Sequence, residues 1–129
     1  MSKFFHFCSS PFEQKQLLDG SRSIILRICL EKKINIVNAG DVICFDSSSK
    51  HYIVTEKIIC NSFGEALKSC NTDKLFPKKD IETIINEFRS LYPRAPKTNW
   101  KFVLYKLEET KQVVTNNAIQ SFTYKPLDI

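Results

Sequence analysis

Two glycine turns, Asp19-Gly20 and Ala39-Gly40, bracket the segment from Leu18 to Phe45 and constrain the fold more than any other feature of the chain. Glycine accepts the left-handed backbone found at helix ends and hairpins. A helix is predicted to end at the first turn, and a basic strand, Ser23 to Leu30, to leave it. The second turn launches another strand from Asp41. Two of the three glycines thus mark the starts of strands. Between them lie Arg22, Ser23, Arg27, Lys32, Lys33 and Asp41, the densest polar grouping in the first half of the chain. This is the first place to look for a site.

Lys3 to Cys8 is short and aromatic and reads as a first strand. Ser10-Pro11-Phe12-Glu13 announces a helix: Ser10 can cap it, Pro11 suits its first turn, and Glu13 holds the capping-box position. That helix carries Phe12, Leu17 and Leu18 and closes at Gly20. Arg27 stands inside an Ile- and Leu-rich strand, so its charge must reach solvent, a partner or a ligand. Asp41 to Phe45 and Tyr52 to Cys60, joined by a Ser-rich link, form a hairpin. Ser62 and Glu65 repeat the capping-box spacing before a helix to about Cys70, and residues 71–79 read as a loop. In the segment from Asp80 to Leu91, Ile81, Ile84, Ile85, Phe88 and Leu91 recur every three or four residues, the spacing of one helix face. A breaker-rich basic loop follows, then a strand from Trp100 to Leu107. Two weaker strand-like pieces, 112–114 and 121–124, lie in the tail. Five or six mostly antiparallel strands with about three helices give an α+β fold in a single domain, residues 1–129.

At 129 residues the chain can bury one core without staples. Its net charge of +5 and pI near 9.0 lean towards polyanions, yet its longest positive runs are the pairs Lys32-Lys33 and Lys78-Lys79. Five cysteines at 8, 29, 44, 60 and 70 and only two histidines give no metal-ligand spacing. Cys29, Cys44 and Cys60 lie in or at the end of apolar runs and read as small buried hydrophobes in a reducing, intracellular setting, the cytoplasm or the nucleus. No apolar stretch reaches the length of a membrane span, and no nucleotide-cradling glycine pattern occurs. No cofactor and no metal is expected.

Four segments together resemble the ASCH domain, a member of the PUA-like superfamily, over residues 12–108. They are Leu17-Leu18-Asp19-Gly20-Ser21-Arg22-Ser23-Ile24, Asn38-Ala39-Gly40-Asp41-Val42-Ile43, Ser62-Phe63-Gly64-Glu65-Ala66-Leu67 and Phe88-Arg89-Ser90-Leu91-Tyr92-Pro93. Residues 109–129 form an extension beyond it. The resemblance implies a small β-barrel with helices across its ends and a cleft beside the first of these motifs. Related PUA-type folds bind RNA. Some ASCH proteins hydrolyse acetylated cytidine nucleosides with a Lys, a Thr and a Glu. Here the Lys position holds Arg22, the Thr position Ile25, and the Glu position falls near Pro77, with Asp73 or Asp80 the nearest acids. Arginine stays protonated and cannot act as a base. Many members also carry a Glu in the strand before the retained Arg, where this chain has Ile25 or Leu26. The chain is also similar to small accessory proteins of large cytoplasmic DNA viruses such as African swine fever virus.

Three functions compete. The first is a non-enzymatic ASCH-type binding module for RNA, a nucleotide or a modified base. Arg22 and Arg27 would clamp an anion through forked hydrogen bonds, with Ser23 and Asp41 beside them. The bland alternative pairs these arginines with Asp41, Glu31 or a carbonyl, and makes Asp41 a turn residue. Arg89, Arg94, Lys97 and Lys101, flanking Tyr92 and Trp100, add a second candidate surface where bases stack on rings and phosphates meet cations. Its alternative is a core Trp100 with a solvated charged rim. The second function is a protein-interaction or host-modulating factor that uses its C-terminal extension. The third is a hydrolase on acetylated cytidine nucleosides with a degenerate catalytic set, for which only Lys32, Lys33 or Lys101 could replace the missing lysine.

Overall fold

A computed structural model describes residues 3–30, 33–34, 36–45, 50–93, 100–111 and 119–122, the last four as backbone alone. The expected strands form: β1 (Phe4–Phe7), β2 (Ile24–Leu30), β3 (Val42–Phe45), β4 (His51–Cys60) and β5 (Trp100–Thr110). The tail contributes β6 (Ile119–Phe122), two residues earlier than its sequence signal; the other tail piece, 112–114, lies outside the described residues. The helices are α1 (Pro11–Asp19), α2 (Phe63–Lys68), α3 (Thr72–Leu75) and α4 (Ile81–Leu91). There are four rather than three because α3 occupies the expected loop before Pro77. Its single turn is capped by the Asn71 side chain, which accepts from the Asp73 N–H at 3.1 Å.

Both predicted caps are in place: Ser10 Oγ accepts from the Glu13 N–H at 3.1 Å and Ser62 Oγ from the Glu65 N–H at 3.1 Å. Asp80 caps α4 as well, its Oδ1 accepting from the Thr83 N–H at 2.7 Å. Gly20 ends α1 at φ 84°, and Gly40 sits at φ 93° ahead of β3. Ser62→Ala is expected to lower stability by about 1 kcal/mol, the ordinary worth of an N-cap, read as a lower urea midpoint.

The strands form one six-stranded sheet in the order β2-β5-β4-β3-β1-β6. The expectation of a mostly antiparallel sheet holds for β2, β5, β4 and β3, but β1 runs parallel to both neighbours, β3 and β6. A strand whose chain continues into a helix and crosses over before pairing can return in the same direction. Among the described residues no ladder joins β2 to β6, so closure into a barrel is not part of the described pairing.

Strand alternation divides the core between two faces. Ile24 and Leu26 of β2 join Phe102 and Leu104 of β5 on one face, under Phe63, Leu67, Leu75, Phe76, Ile84 and Phe88 of the helical segment. Phe63 stacks on Phe88 with ring centroids 4.0 Å apart, and both meet the ring of Phe102 edge-on. On the helix face read from the sequence, Ile84 and Phe88 are buried and Ile85 partly so. Ile81 and Leu91 are exposed at its ends.

Ile25, Cys29, Val103, Tyr105 and Leu107 face the other way, with Phe5, Phe7, Ile43, Phe45, Tyr52 and Val54. Strand β4 serves both faces because of an irregularity between Val54 and Glu56. Before it, Tyr52 and Val54 point to the second core; after it, Ile58 and Cys60 pack on the first. One extra residue changes which face the even positions occupy, and without it half of β4 would present the wrong side.

Cys29, Cys44 and Cys60 are buried. Burial pushes the thiols of Cys60 and Cys70 above the usual cysteine range. Since the thiolate is the nucleophile, both are expected to be alkylated by iodoacetamide at pH 8 more slowly in the folded protein than in urea. Peptide mass spectrometry reads each site separately, and equal folded and unfolded rates would contradict the packing. No helix of the described residues is long and apolar enough to cross a membrane.

Candidate functional site

Alternation places Arg27 on the apolar second-core face, between Ile25 and Cys29, where a lone charge would be prohibitive. Its partner is Glu13, carried inward by the first turn of α1. Arg27 Nη2 donates to Glu13 Oε1 at 2.6 Å, and Nη1 to Oε2 at 2.9 Å. The remaining bonds of Arg27 go to the carbonyls of Leu26 at 2.9 Å and Cys8 at 3.0 Å. Arg22, from the turn after α1, donates from Nη1 to the same Glu13 Oε2 at 3.3 Å and from Nε to Gln16 Oε1 at 2.9 Å. Arg22 lies over the ring of Phe76 and Arg27 over that of Phe7, at 5.6 and 5.8 Å from the ring centroids.

Relative exposure is 2% for Glu13, 3% for Arg22 and 0% for Arg27, so all three groups are out of water. Two guanidiniums share one carboxylate, which, among the described residues, leaves the cluster one positive charge in excess. Burial pulls the Arg22 guanidinium below the usual arginine range; Glu13 opposes that and neighbouring Arg27 adds to it.

Arg22 also lines a cleft of about 290 Å³ at the C-terminal end of α1. Leu17, Leu18 and Asp19 form one side of it, with Gly20 and Ser23 beside Arg22. Opposite stand Lys50, Tyr52, Leu107 and Glu109, from the start of β4 with the residue before it and from the end of β5. Tyr52 Oη donates to the Leu17 carbonyl at 3.3 Å, tying β4 to the helix end. Lys50 Nζ donates to the Leu18 carbonyl at 3.3 Å and stands 3.6 Å from the Glu109 carboxylate. The third Arg22 nitrogen, Nη2, has no hydrogen-bond partner among the described residues.

The candidate residues separate into three places. Arg22 and Ser23 line the cleft, while Arg27 stands behind Arg22, sealed by Glu13 and two carbonyls. Asp41 is 7% exposed and braces the turn before β3, accepting from the Asn38 N–H at 2.9 Å and the Lys3 N–H at 3.1 Å. In the second basic group, Arg89 is exposed on α4 and Trp100 is half-buried. Lys101 donates to Asn61 Oδ1 at 2.6 Å, and Arg94 and Lys97 lie outside the described residues. Lys101 and Leu107 stand six residues apart on β5, about 20 Å at the rise of a strand, so Lys101 lies away from the part of the cleft that Leu107 lines.

The residues at the family's hydrolytic positions do not meet here. Ile25 is fully buried in the second core, Pro77 is buried, and the Asp73 and Asp80 side chains accept from the N–H groups of Lys78 and Thr83. None of the four lines the cleft. Among the described residues no group of three or more His, Cys, Asp or Glu side chains could hold a metal ion.

Sequence reasoning missed Glu13, Lys50, Tyr52 and Glu109. Glu13 had a sufficient explanation as a capping-box residue, and that explanation hid its role. Its backbone N–H does take the cap bond, but its carboxylate turns inward to the arginines. The demand of Arg27 for a partner was readable; the partner, fourteen positions away on another element, was not.

No protein-family model and no curated protein matches the chain. Solved structures share its shape, among them these two. The crystal structure of hypothetical protein PH0355 superposes with a TM-score of 0.69 at 20% identity, covering 83% of this chain and 99% of that one. The solution NMR structure of protein PF0455 from Pyrococcus furiosus gives a TM-score of 0.59 at 22% identity, covering 84% of this chain and 99% of that one. The likeness establishes the fold alone.

Proposed function

We propose that the chain is an ASCH-type, PUA-like binding module that takes RNA, a nucleotide or a modified base into the cleft beside Arg22. One observation carries this reading. A buried cluster with a surplus positive charge stands at the wall of a solvent-open cleft, and an anionic group there would supply the missing counter-charge. Desolvated guanidinium–anion pairs are strong and directional, and arginine is suited to forked recognition of phosphate and carboxylate. Arg22 makes the contact, and Arg27 holds Glu13, which in turn orients Arg22.

The position of the cleft supports the family reading, since it lies on the segment 17–24 that carries the ASCH resemblance. So does the bond from Arg27 on edge strand β2 to the Cys8 carbonyl after β1, which joins segments four places apart in the strand order and so favours a curled sheet. The tail strand β6 pairs with β1 of its own sheet, which weakens the reading of the extension as a free partner-binding arm.

The test is a calorimetric titration at 50 and 200 mM salt with wild type and Arg22→Gln, using short single-stranded RNA and a mononucleotide. Binding that weakens with salt and falls at least tenfold in Arg22→Gln supports the module. Absence of binding by either probe at low salt rejects it.

A further inference from the structure

Resting on the module reading, we infer that the cleft discriminates a nucleotide from its nucleoside, and that Gln16 is the positioning residue that sets this preference. Gln16 lies on α1, six positions before Arg22, and holds it twice. Its backbone carbonyl accepts from the Arg22 N–H at 3.1 Å, and its side-chain Oε1 accepts from Arg22 Nε at 2.9 Å. Glu13, on the same helix, takes Arg22 Nη1 at 3.3 Å, and the Phe76 ring lies against the guanidinium. Two of the three guanidinium nitrogens are thus anchored within the described residues, and Nη2 is left for a ligand oxygen.

One of those two anchors is neutral. Glu13 already divides its single charge between Arg22 and Arg27. A carboxylate at position 16 would hold Arg22 equally well and would also cancel its charge. The amide supplies the bond and leaves the charge in place. A dehydrated cation without its own counter-ion is what an entering anion stabilises most. The acids at the mouth of the cleft do not alter this balance. Lys15 and Lys78 act on the Asp19 carboxylate, and Lys50 stands 3.6 Å from that of Glu109. All five groups meet solvent, where water and salt screen them, whereas Arg22 is 3% exposed. A nucleoside can rest on Leu17, Leu18 and Leu107, and its carbonyl oxygens can accept from Nη2, yet the surplus charge stays uncompensated. A 5′-phosphate answers both demands, and bonds to an ionised acceptor are roughly twice as strong as neutral ones. The three ligand types of the module thereby narrow to those that bring an anion.

Uridine 5′-monophosphate and uridine are titrated by calorimetry at about 50 mM salt, where screening is weak, with short single-stranded RNA alongside. Wild type is expected to bind the nucleotide at least about tenfold tighter than the nucleoside. Gln16→Glu keeps the shape and the bond to Arg22. It should weaken the nucleotide at least about fivefold while raising the urea midpoint of the free protein, a pairing of effects that mere loss of structure would not give. Gln16→Met keeps the surplus charge and loses the acceptor, so it should weaken the nucleotide less than Gln16→Glu does. Lys15→Gln makes the same change in net charge one position away, at an exposed site, and should weaken the nucleotide by less than about twofold. Nucleotide affinity unchanged in Gln16→Glu, or lowered as far by Gln16→Met or Lys15→Gln, overturns the inference. So does a wild type that binds both probes alike, or one that binds RNA and neither probe. In each of these cases the module still stands if Arg22→Gln weakens binding tenfold. Failure of the nucleotide, the nucleoside and the RNA to bind removes the module and the inference together.

Discussion

Glu13→Gln should cost the fold about 3–5 kcal/mol, a loss of roughly 12–20 °C in midpoint for a chain of this length. The substitution keeps shape and one acceptor but removes the only negative charge that, among the described residues, pairs with the two buried guanidiniums, and a carbonyl oxygen cannot replace it. Breaking a buried ion pair from one side costs far more than the pair contributes net, because the remaining charge stays dehydrated. Glu65→Gln is the matched control. It changes the same capping-box position on α2, where the carboxylate accepts from the Asn61 N–H at the exposed surface, and should cost well under 1 kcal/mol. If the two variants lose equal stability in urea titrations, the cluster is not the charge-balanced centre described above. Should Glu13→Gln fail to fold, adding Arg27→Met is expected to recover part of the loss, since one of the orphaned cations then disappears.

Arg22→Met should separate stability from binding. Removing it leaves Glu13 and Arg27 as a balanced, doubly bonded pair and takes away the surplus charge, so the free protein is expected to gain about 1 kcal/mol. The same change should abolish anion binding in the cleft. Gain of one with loss of the other is the signature of a charge held for a ligand at the expense of the fold. A variant that loses both would instead make Arg22 a structural tie through Gln16 and Phe76. Thermal melts of the free and nucleotide-saturated forms distinguish the two outcomes.

The elements were legible where the chain signals its own boundaries. Ser10-Pro11 and Ser62 announce helices through side chains that bond three residues ahead, and Gly20 and Gly40 announce turns through a backbone few other residues adopt. These are local interactions, and local sequence carries them. Helix α3 escaped because one turn has no hydrophobic periodicity, and only Asn71 marks it. The parallel setting of β1 escaped because direction within a sheet is decided by partners 38 and 115 positions away, 42 − 4 and 119 − 4 in the register. At the site, Arg22 and Arg27 drew attention because charge in an apolar strand demands an account. Asp41, grouped with them in sequence, serves a different turn, since proximity along the chain did not survive the alternation of β2. Lys50, Tyr52 and Glu109 carry no motif, and only the packing of β4 and β5 against the end of α1 makes them neighbours.

The place of β1 bears on how the chain comes together in time. Strand β1 has one ladder partner 38 residues downstream and the other 115 residues downstream, so its second edge stays open until that distant segment is in place. Closing so long a loop is entropically the costliest step in the sheet, and folds dominated by such contacts assemble slowly. Phe5 and Phe7, both fully buried at the end, thus belong to a strand that is among the last to be fully enclosed.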